Sequence, residues 1–414
     1  MGKLGSIPRI FFLLAVLLAV LMPPYQGHAS APCSASQSPS WQICGPIQSF
    51  PGVNEQSTVI QANDGTLRLA WTQVDLFGSS SIYYSNQLAD GTWAGNSSIT
   101  NVACNARTPS CNRSPSLVQA NNGTLFMFWS YKTGTASNFQ LYYLHLKGSV
   151  WSAYAKVPLK TPTTLNDTQP SAAVGRDGTI WLAWTRDDST PSGGTVHRWL
   201  MYQTLNSTGW APTGEQTITS SSDANWNFEP SVLVSKDGVP KIAYSRGQAS
   251  LANFQINYIY RIGSGWSTPR AIVTSNSTAN DENPSLTQDR NGTLWVFWTR
   301  AFSSNYAIRS EYTWDNGTSP ATIWRGETLL TPVCVGCPDS EFPAAVQSSA
   351  DKKLWVFYTT NPNGISFDIW GLVTLSPISP VHDIAVSRTI GSYGSNASEI
   401  YAGGFHNSYA GISQ

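Results

Sequence analysis

The chain has 414 residues, of which 41% are hydrophobic and only 12% charged, and its 24 basic and 24 acidic side chains cancel. Such a length and apolar content can bury a large core, and a formal charge of zero excludes the broad basic field that a nucleic-acid binder spreads over its surface. Selectivity for a partner must then come from local groups.

The first segment has export character. Lys3 and Arg9 precede an apolar run from Ile10 to Met22, and Ala29-Ser30-Ala31 follows as a small-residue cleavage site. A run of 13 residues is short for a bilayer span. Residues 1–31 are therefore read as a signal peptide, the membrane as met only during export, and the protein as secreted or held at the cell surface. The six cysteines suit an oxidising exterior because they fall in close pairs: Cys33 with Cys44, Cys104 with Cys111, and Cys334 with Cys337, each expected to form a local disulfide. A zinc or redox reading of Cys334-Val335-Gly336-Cys337 lacks the other ligands, since no second such pair or nearby histidine accompanies it.

Six copies of one hairpin come next, starting at Asn54, Asn112, Asp167, Asn227, Asp281 and Glu341; the fifth reads DENPSLTQDRNGTLWVFWTRA. Aligned on Gly65, Gly123, Gly178, Gly238 and Gly292, with Lys352 in the sixth slot, they recur every 54 to 60 residues. That is the signature of a repeat architecture. Within each copy an alternating strand and an almost wholly apolar strand flank an Asp-Gly or Asn-Gly turn, for which type I′ geometry is expected. A tyrosine-rich third strand and a tryptophan-bearing fourth strand complete the unit.

Four-stranded meanders whose second strand is apolar on both faces pack radially. The expected fold is all-β: a six-bladed β-propeller of four-stranded antiparallel blades spanning residues 32–376. Trp71, Trp129, Trp184 and Trp298 are then read as packing between blades. The sixth copy has no fourth strand of its own, while residues 38–50 have the tryptophan and spacing of one, so an N-terminal strand is expected to close the ring. Residues 377–414 change character and are read as a linker or tail, or as the start of a truncated immunoglobulin-like module. Turn chemistry accounts for the sequons at Asn122 and Asn291; those at Asn96, Asn206, Asn276 and Asn316 are candidate glycan sites.

First strands start, and second strands end, at one face, so two sets of side chains are expected there. The first is Glu55, Arg113, Asp167, Glu229, Glu282 and Glu341; the second is Gln73, Tyr131, Arg186, Arg246, Arg300 and Thr360. Three arginines on successive blades suit bidentate recognition of an anion, and Asp167, Glu229 and Glu282 are acid/base candidates if the site cleaves glycosidic bonds. A ring of solvated ion pairs is the structural alternative. His145, His197, His382 and His406 stand alone, and neither a nucleophile elbow nor an HExxH motif occurs. No metal or cofactor is expected; a structural calcium at Asp187-Asp188 has no motif behind it.

The unit PSLxQxxNGTLWVFWTR, followed by IxYxYRIGSGWSTPxxI, resembles the blades of the sialidase-like, or BNR-repeat, six-bladed propellers over about residues 38–376. Asp90-Gly91-Thr92-Trp93 and Gly265-Trp266-Ser267 resemble degenerate Asp-boxes. Sialidases of this kind use an arginine triad, an acid/base aspartate and a tyrosine nucleophile backed by glutamate. Arg186, Arg246 and Arg300 match the triad by place in the blade, whereas the Arg-Ile-Pro signature of the first strand is missing. The expected function is a secreted or cell-surface monomer that binds a glycan or an extracellular protein on its axial face. A sialidase-like glycoside hydrolase, exo-acting on acidic sugars, and a structural envelope protein are the alternatives.

Overall fold

A computed structural model describes residues 33–49, 52–100, 111–132, 138–160, 164–188, 196–248, 253–272, 279–314, 317–318, 323–361 and 367–377. The expected signal peptide and tail, Cys104, and the sequons at Asn276 and Asn316 lie outside these residues.

Six antiparallel sheets form the six blades of a propeller, and among the described residues there is no helix. Blade 1 runs outward through Val53–Gln61, Leu67–Val74, Ser80–Asn86 and Ser97–Ser98. Blades 2 to 5 repeat this order from first strands at Asn112–Gln119, Asn166–Val174, Trp226–Val234 and Asp281–Gln288. In blades 2 to 4 the outer edge consists of two-residue strands, such as Gly209–Trp210 and Gln216–Thr217, which leave little open ladder for a foreign strand to join.

Blade 6 takes three strands from the end of the chain, Ser340–Gln347, Leu354–Thr360 and Asp368–Thr374, and its fourth, Trp41–Gln48, from the beginning. The closing register pairs Trp41 with Thr374 and Cys44 with Gly371. Gly45 is required at this contact, because a Cβ there would lie 2.3 Å from the Trp370 ring. Cys33 and Cys44 are disulfide-bonded and add a short fifth strand, Cys33–Ala35. Cys334 is bonded to Cys337, and Cys111 is also disulfide-bonded.

The core lies between the blades. Trp71, Trp129, Trp184 and Trp298 are at most 1% exposed, and each indole donates to a side chain at the start of its own blade: Asn54, Asn112, Asp167 and Asp281 respectively. Full burial of such a ring is worth about 2–3 kcal/mol. The outer tryptophans reach back to the preceding blade: Trp93 packs on Phe357, Trp151 on Tyr84, Trp210 on Phe128, Trp266 on Trp181, Trp324 on Tyr258 and Trp41 on Phe297.

The turn expectation is corrected. Of Asn63, Asp64 and Gly65 only the glycine has positive φ, 83°, and the Gly65 N–H donates to Ala62 O while Ala62 N–H donates to Thr66 O. This is a type I turn closed by a left-handed residue, the three-residue hairpin, rather than type I′. Asp64 favours it by accepting the Thr66 N–H. In the sixth copy Lys352 itself takes the left-handed slot, at φ 59°.

Candidate functional site: the axial mouth

Every first strand is broken at the same place. The pairing with the second strand slips between Glu55 and Thr58, Arg113 and Ser116, Thr168 and Ser171, Phe228 and Ser231, Glu282 and Ser285, and Glu341 and Ala344. Inside each bulge sits a left-handed residue: Gln56, Ser114, Gln169, Glu229, Asn283 or Phe342, with φ between 52° and 56°. In five blades proline follows it. A non-glycine residue in this region is strained, and the strain is met by bonding between blades.

The amides of Ser114, Gln169, Glu229 and Phe342 donate to Thr72, Ser130, Thr185 and Thr299 of the preceding blade at 3.0–3.1 Å. Between blades 4 and 5 the Glu229 carboxylate takes over, accepting from the Asn283 N–H at 2.8 Å and the Ser245 hydroxyl at 3.0 Å. One step deeper, the hydroxyls of Thr58, Ser116, Ser171, Ser231 and Ser285 accept from Leu117, Ala172, Val232, Leu286 and Ala345. The junction from blade 6 to blade 1 differs. Ala344 has no hydroxyl to offer, and the Thr359 hydroxyl, in a residue 1% exposed, has no hydrogen-bond partner.

The bulge residues and their prolines line a cavity of about 120 Å³ on the axis, and the strand segments below line one of about 190 Å³. The channel mouth is therefore set by the residues just before each bulge.

Counted back from the proline, the six expected first-strand residues fall in three registers. Glu55, Arg113, Glu282 and Glu341 are two residues before the proline or its equivalent Ser57, Asp167 is three before, and Glu229 is the left-handed residue itself. Glu282 and Glu341 pair across the sheet with Thr299 and Thr359, and Glu55 with Thr72. Cross-strand partners share a face, so these carboxylates project into the gaps between blades, on the side where the hydroxyls reach the next blade.

Together Glu282, Glu341 and Glu55 form an acidic arc over blades 5, 6 and 1. Burial raises the Glu341 carboxyl to about 7, and Asp339, Glu55 and Glu282 add to it. Burial also raises Glu55 and Glu282, opposed by Arg113 and Arg198 respectively. Glu229 is pushed up to about 7 by burial first and by Glu282 second.

The arginines do not converge on a common rim, which corrects the expectation for them. Arg186 is 3% exposed and grips Asp167 of its own blade with Nε at 2.7 Å and Nη2 at 3.1 Å, while Nη1 lies 3.4 Å from Glu215. Arg300, 5% exposed, grips Asp281 at 2.6 and 2.8 Å and Glu327 at 2.5 Å. Arg246 pairs with Asp223, in the loop before blade 4, at 3.0 Å. Asp167 is thus committed to an ion pair inside the blade. Of the other second-strand ends, Tyr131 is 7% exposed in a cluster with Tyr142 and Tyr154, Thr360 is buried, and Gln73 is half-buried opposite Asn54.

Sequence reasoning missed the groups that accompany the arc. Tyr306, which starts the third strand of blade 5, is 40% exposed, and the nearby charges of Glu341, Glu282 and Asp339 add to burial in raising its hydroxyl. Its N–H donates to Asp339 at 2.9 Å, and that aspartate follows the Cys334–Cys337 disulfide by two residues. Arg198, which starts the third strand of blade 3, lies 4.1 Å over the Trp226 ring and 5.4 Å from that of Phe228. The exposed Arg113 covers Phe139 at 5.3 Å. The mouth therefore carries carboxylates and an open tyrosine on one side and aromatic-backed arginines on the other. Among the described residues no cluster of histidine, cysteine, aspartate and glutamate has a metal-binding arrangement.

No protein-family model and no curated protein matches the chain. Solved structures do. A Dyadobacter fermentans protein of unknown function aligns with TM-score 0.60 and 14% identity, over 81% of this chain and 99% of that one. The alpha-L-arabinanase of Penicillium chrysogenum, complexed with arabinobiose, aligns with TM-score 0.56 and 13% identity, over 83% and 98%. A variant of the NanB sialidase from Streptococcus pneumoniae aligns with TM-score 0.58 and 9% identity, over 87% and 72%. At such identities the likeness is one of fold: the chain is a six-bladed β-propeller built like those of a sialidase and an arabinanase.

Proposed function

We propose that the protein is an exported propeller whose axial mouth binds a glycan. The observation that carries this reading is the exposed Tyr306 ring, whose hydroxyl feels the charges of Glu341, Glu282 and Asp339. An aromatic surface with a few convergent acceptors is the usual make-up of a small-ligand site, and carboxylates are strong acceptors for sugar hydroxyls. The two disulfides and the apolar N-terminal run support export. Arg186 and Arg300 are held by carboxylates of their own blades, so recognition of an acidic sugar would not rest on them. A glycan array with the purified protein tests the proposal, followed by calorimetric titration of each hit against Tyr306→Ala. The variant is expected to bind at least about tenfold more weakly, the scale of one lost aromatic contact, at unchanged melting temperature. An array without hits, or equal affinity of the variant, refutes it.

A second reading, hydrolysis, is favoured by two carboxyls at the axial end of their first strands that are raised to about 7, Glu229 and Glu341, because an acid that stays protonated near neutral pH can protonate a leaving group. Turnover of fluorogenic glycosides, lost in Glu341→Gln, would establish it; absence of turnover leaves binding as the function.

A further inference from the structure

We infer that the seam between blades 6 and 1 is a subsite for a primary ammonium group, that of an amino sugar, held by Glu341 above Thr359, with the charge of Glu55 acting from the neighbouring junction. The inference rests on the glycan-binding reading and specifies its ligand.

Three observations lead there. First, the three carboxylates of the arc are not equivalent. Glu55 faces Arg113 and Glu282 faces Arg198, whereas the charges around Glu341 are Asp339, Glu55 and Glu282, all acidic, and no ion pair holds it among the described residues. Second, the hydroxyl of Thr359 is buried and unpartnered. Its equivalents Thr72, Ser130, Thr185 and Thr299 each point across a blade junction and accept a bulge amide. Thr359 shares a face of its sheet with Glu341, so its hydroxyl points into the seam that Glu341 faces, while Glu55, on the face of Thr72, adds its charge from the next junction. Third, the hydroxyl clasp one step deeper is also missing at this junction, because Ala344 stands where five other blades have serine or threonine.

The seam therefore sets an unpartnered hydroxyl beside a carboxylate on which only acidic charges act. A buried oxygen without a partner costs about 1–3 kcal/mol, and like charges close together cost more as they are desolvated. A ligand that brings a positive charge and several N–H donors relieves both, and a primary ammonium does so in one compact group with three donors. A planar guanidinium would find no bidentate fork here, since the carboxylates come from separate blades. Tyr306, beside Glu341 and Glu282, offers the ring face on which the sugar carrying the ammonium rests.

The test is calorimetric titration of the full chain with a glucosamine tetramer, its fully N-acetylated counterpart and a trilysine peptide. The glucosamine tetramer is expected to bind at least about tenfold more tightly than the acetylated one, the scale of one charge-assisted bond. Glu341→Gln is expected to erase that preference by weakening the glucosamine tetramer at least about tenfold more than the acetylated one. Thr359→Val is expected to reduce it severalfold without lowering the melting temperature, since the hydroxyl has no partner to lose in the free protein. Equal affinity for the two tetramers, or a preference that survives Glu341→Gln, overturns the inference and leaves the glycan reading standing. Trilysine binding as tightly as the glucosamine tetramer overturns the assignment to an amino sugar. Binding of neither tetramer, with an empty glycan array, overturns the glycan reading and this inference with it.

Discussion

Removing Arg300 tests whether the arginines at the ends of the second strands are structural. Asp281 is 1% exposed and receives two bonds from Arg300 and one from the Trp298 indole. Arg300→Gln strands that carboxylate, and the loss of one partner of a buried pair costs about 3–5 kcal/mol. An unfolding entropy near 2.1 cal/mol/K per residue gives about 0.7 kcal/mol/K for a propeller of this size, so the melting temperature is expected to fall by about 4–7 °C. Asp281→Asn is expected to be similarly harmful, because it leaves a buried guanidinium with Glu327 alone. The double variant reproduces what blade 1 already has, Asn54 under Trp71 with Gln73 at the strand end. It strands no charge, and a favourable coupling of about 1.5–3 kcal/mol is expected relative to the sum of the single variants. Thermal and urea unfolding of the four proteins measure this. Additive single effects, or an Arg300→Gln variant within about 1 °C of the parent, would refute the assignment of the pair to the core.

Two further outcomes follow from the axial geometry. Ala344→Ser supplies the sixth inner hydroxyl and is expected to raise stability by about 0.5–1.5 kcal/mol, whereas Ser171→Ala and Ser231→Ala lower it; a destabilised Ala344→Ser in urea unfolding would show that the seam has no room for the bond. Glu229 and Glu341 have folded-state values of about 7, above the ordinary 4.5, so between those values the folded chain holds more protons than the unfolded one. Their contribution to stability is present below pH about 4.5 and is lost as pH rises towards 7; Glu229→Gln is expected to flatten part of that decline, and an unchanged pH profile of urea unfolding contradicts the burial of this carboxylate.

How much of this was legible depended on whether a feature had a residue type of its own. The turn glycines and the Trp-Thr or Trp-Ser pairs repeat with the blades, and residues 38–50 carry the tryptophan that the sixth copy lacks, so blade number and ring closure could be read directly. The ion-pair knots were also encoded: Asp167 and Asp281 are the two copies with aspartate before the bulge, and each has arginine 19 residues later, whereas Asn54 and Asn112 are followed at that distance by Gln73 and Tyr131. Arg246 breaks the rule opposite the neutral Asn227 because Asp223, from the preceding loop, supplies its charge. The bulge was harder to see. Glutamine, serine, glutamate, asparagine and phenylalanine all occupy the left-handed position, so composition does not mark it; only the following proline does, and blade 1 has Ser57 there. Without that anchor Asp167, Glu229 and Glu282 look equivalent, although one is in a buried ion pair, one lines the channel and one faces the mouth. Tyr306 and Arg198 escaped because they start third strands, after loops whose length varies from blade to blade.

The seam shows why a repeat protein can place a site where its repeat is weakest. At four of the other five junctions a hydroxyl holds the next bulge amide directly, at the fifth the Glu229 carboxylate does so, and at all five an inner hydroxyl holds the next strand. These bonds resist separation of blades that are otherwise held by apolar packing. The junction between blades 6 and 1 is closed by other means: the strand Trp41–Gln48 completes blade 6, and Asn54 donates through its backbone and side-chain N–H groups to Phe367 O at 3.2 and 2.7 Å. With closure secured at the rim, the axial positions of this junction are released from clasp duty. Ala344 and the unpartnered Thr359 record that release, and Glu341 shares the face of Thr359. A polar group that the fold does not use for its own cohesion remains available to a ligand, and among the six junctions this one combines such a group with unpaired charge.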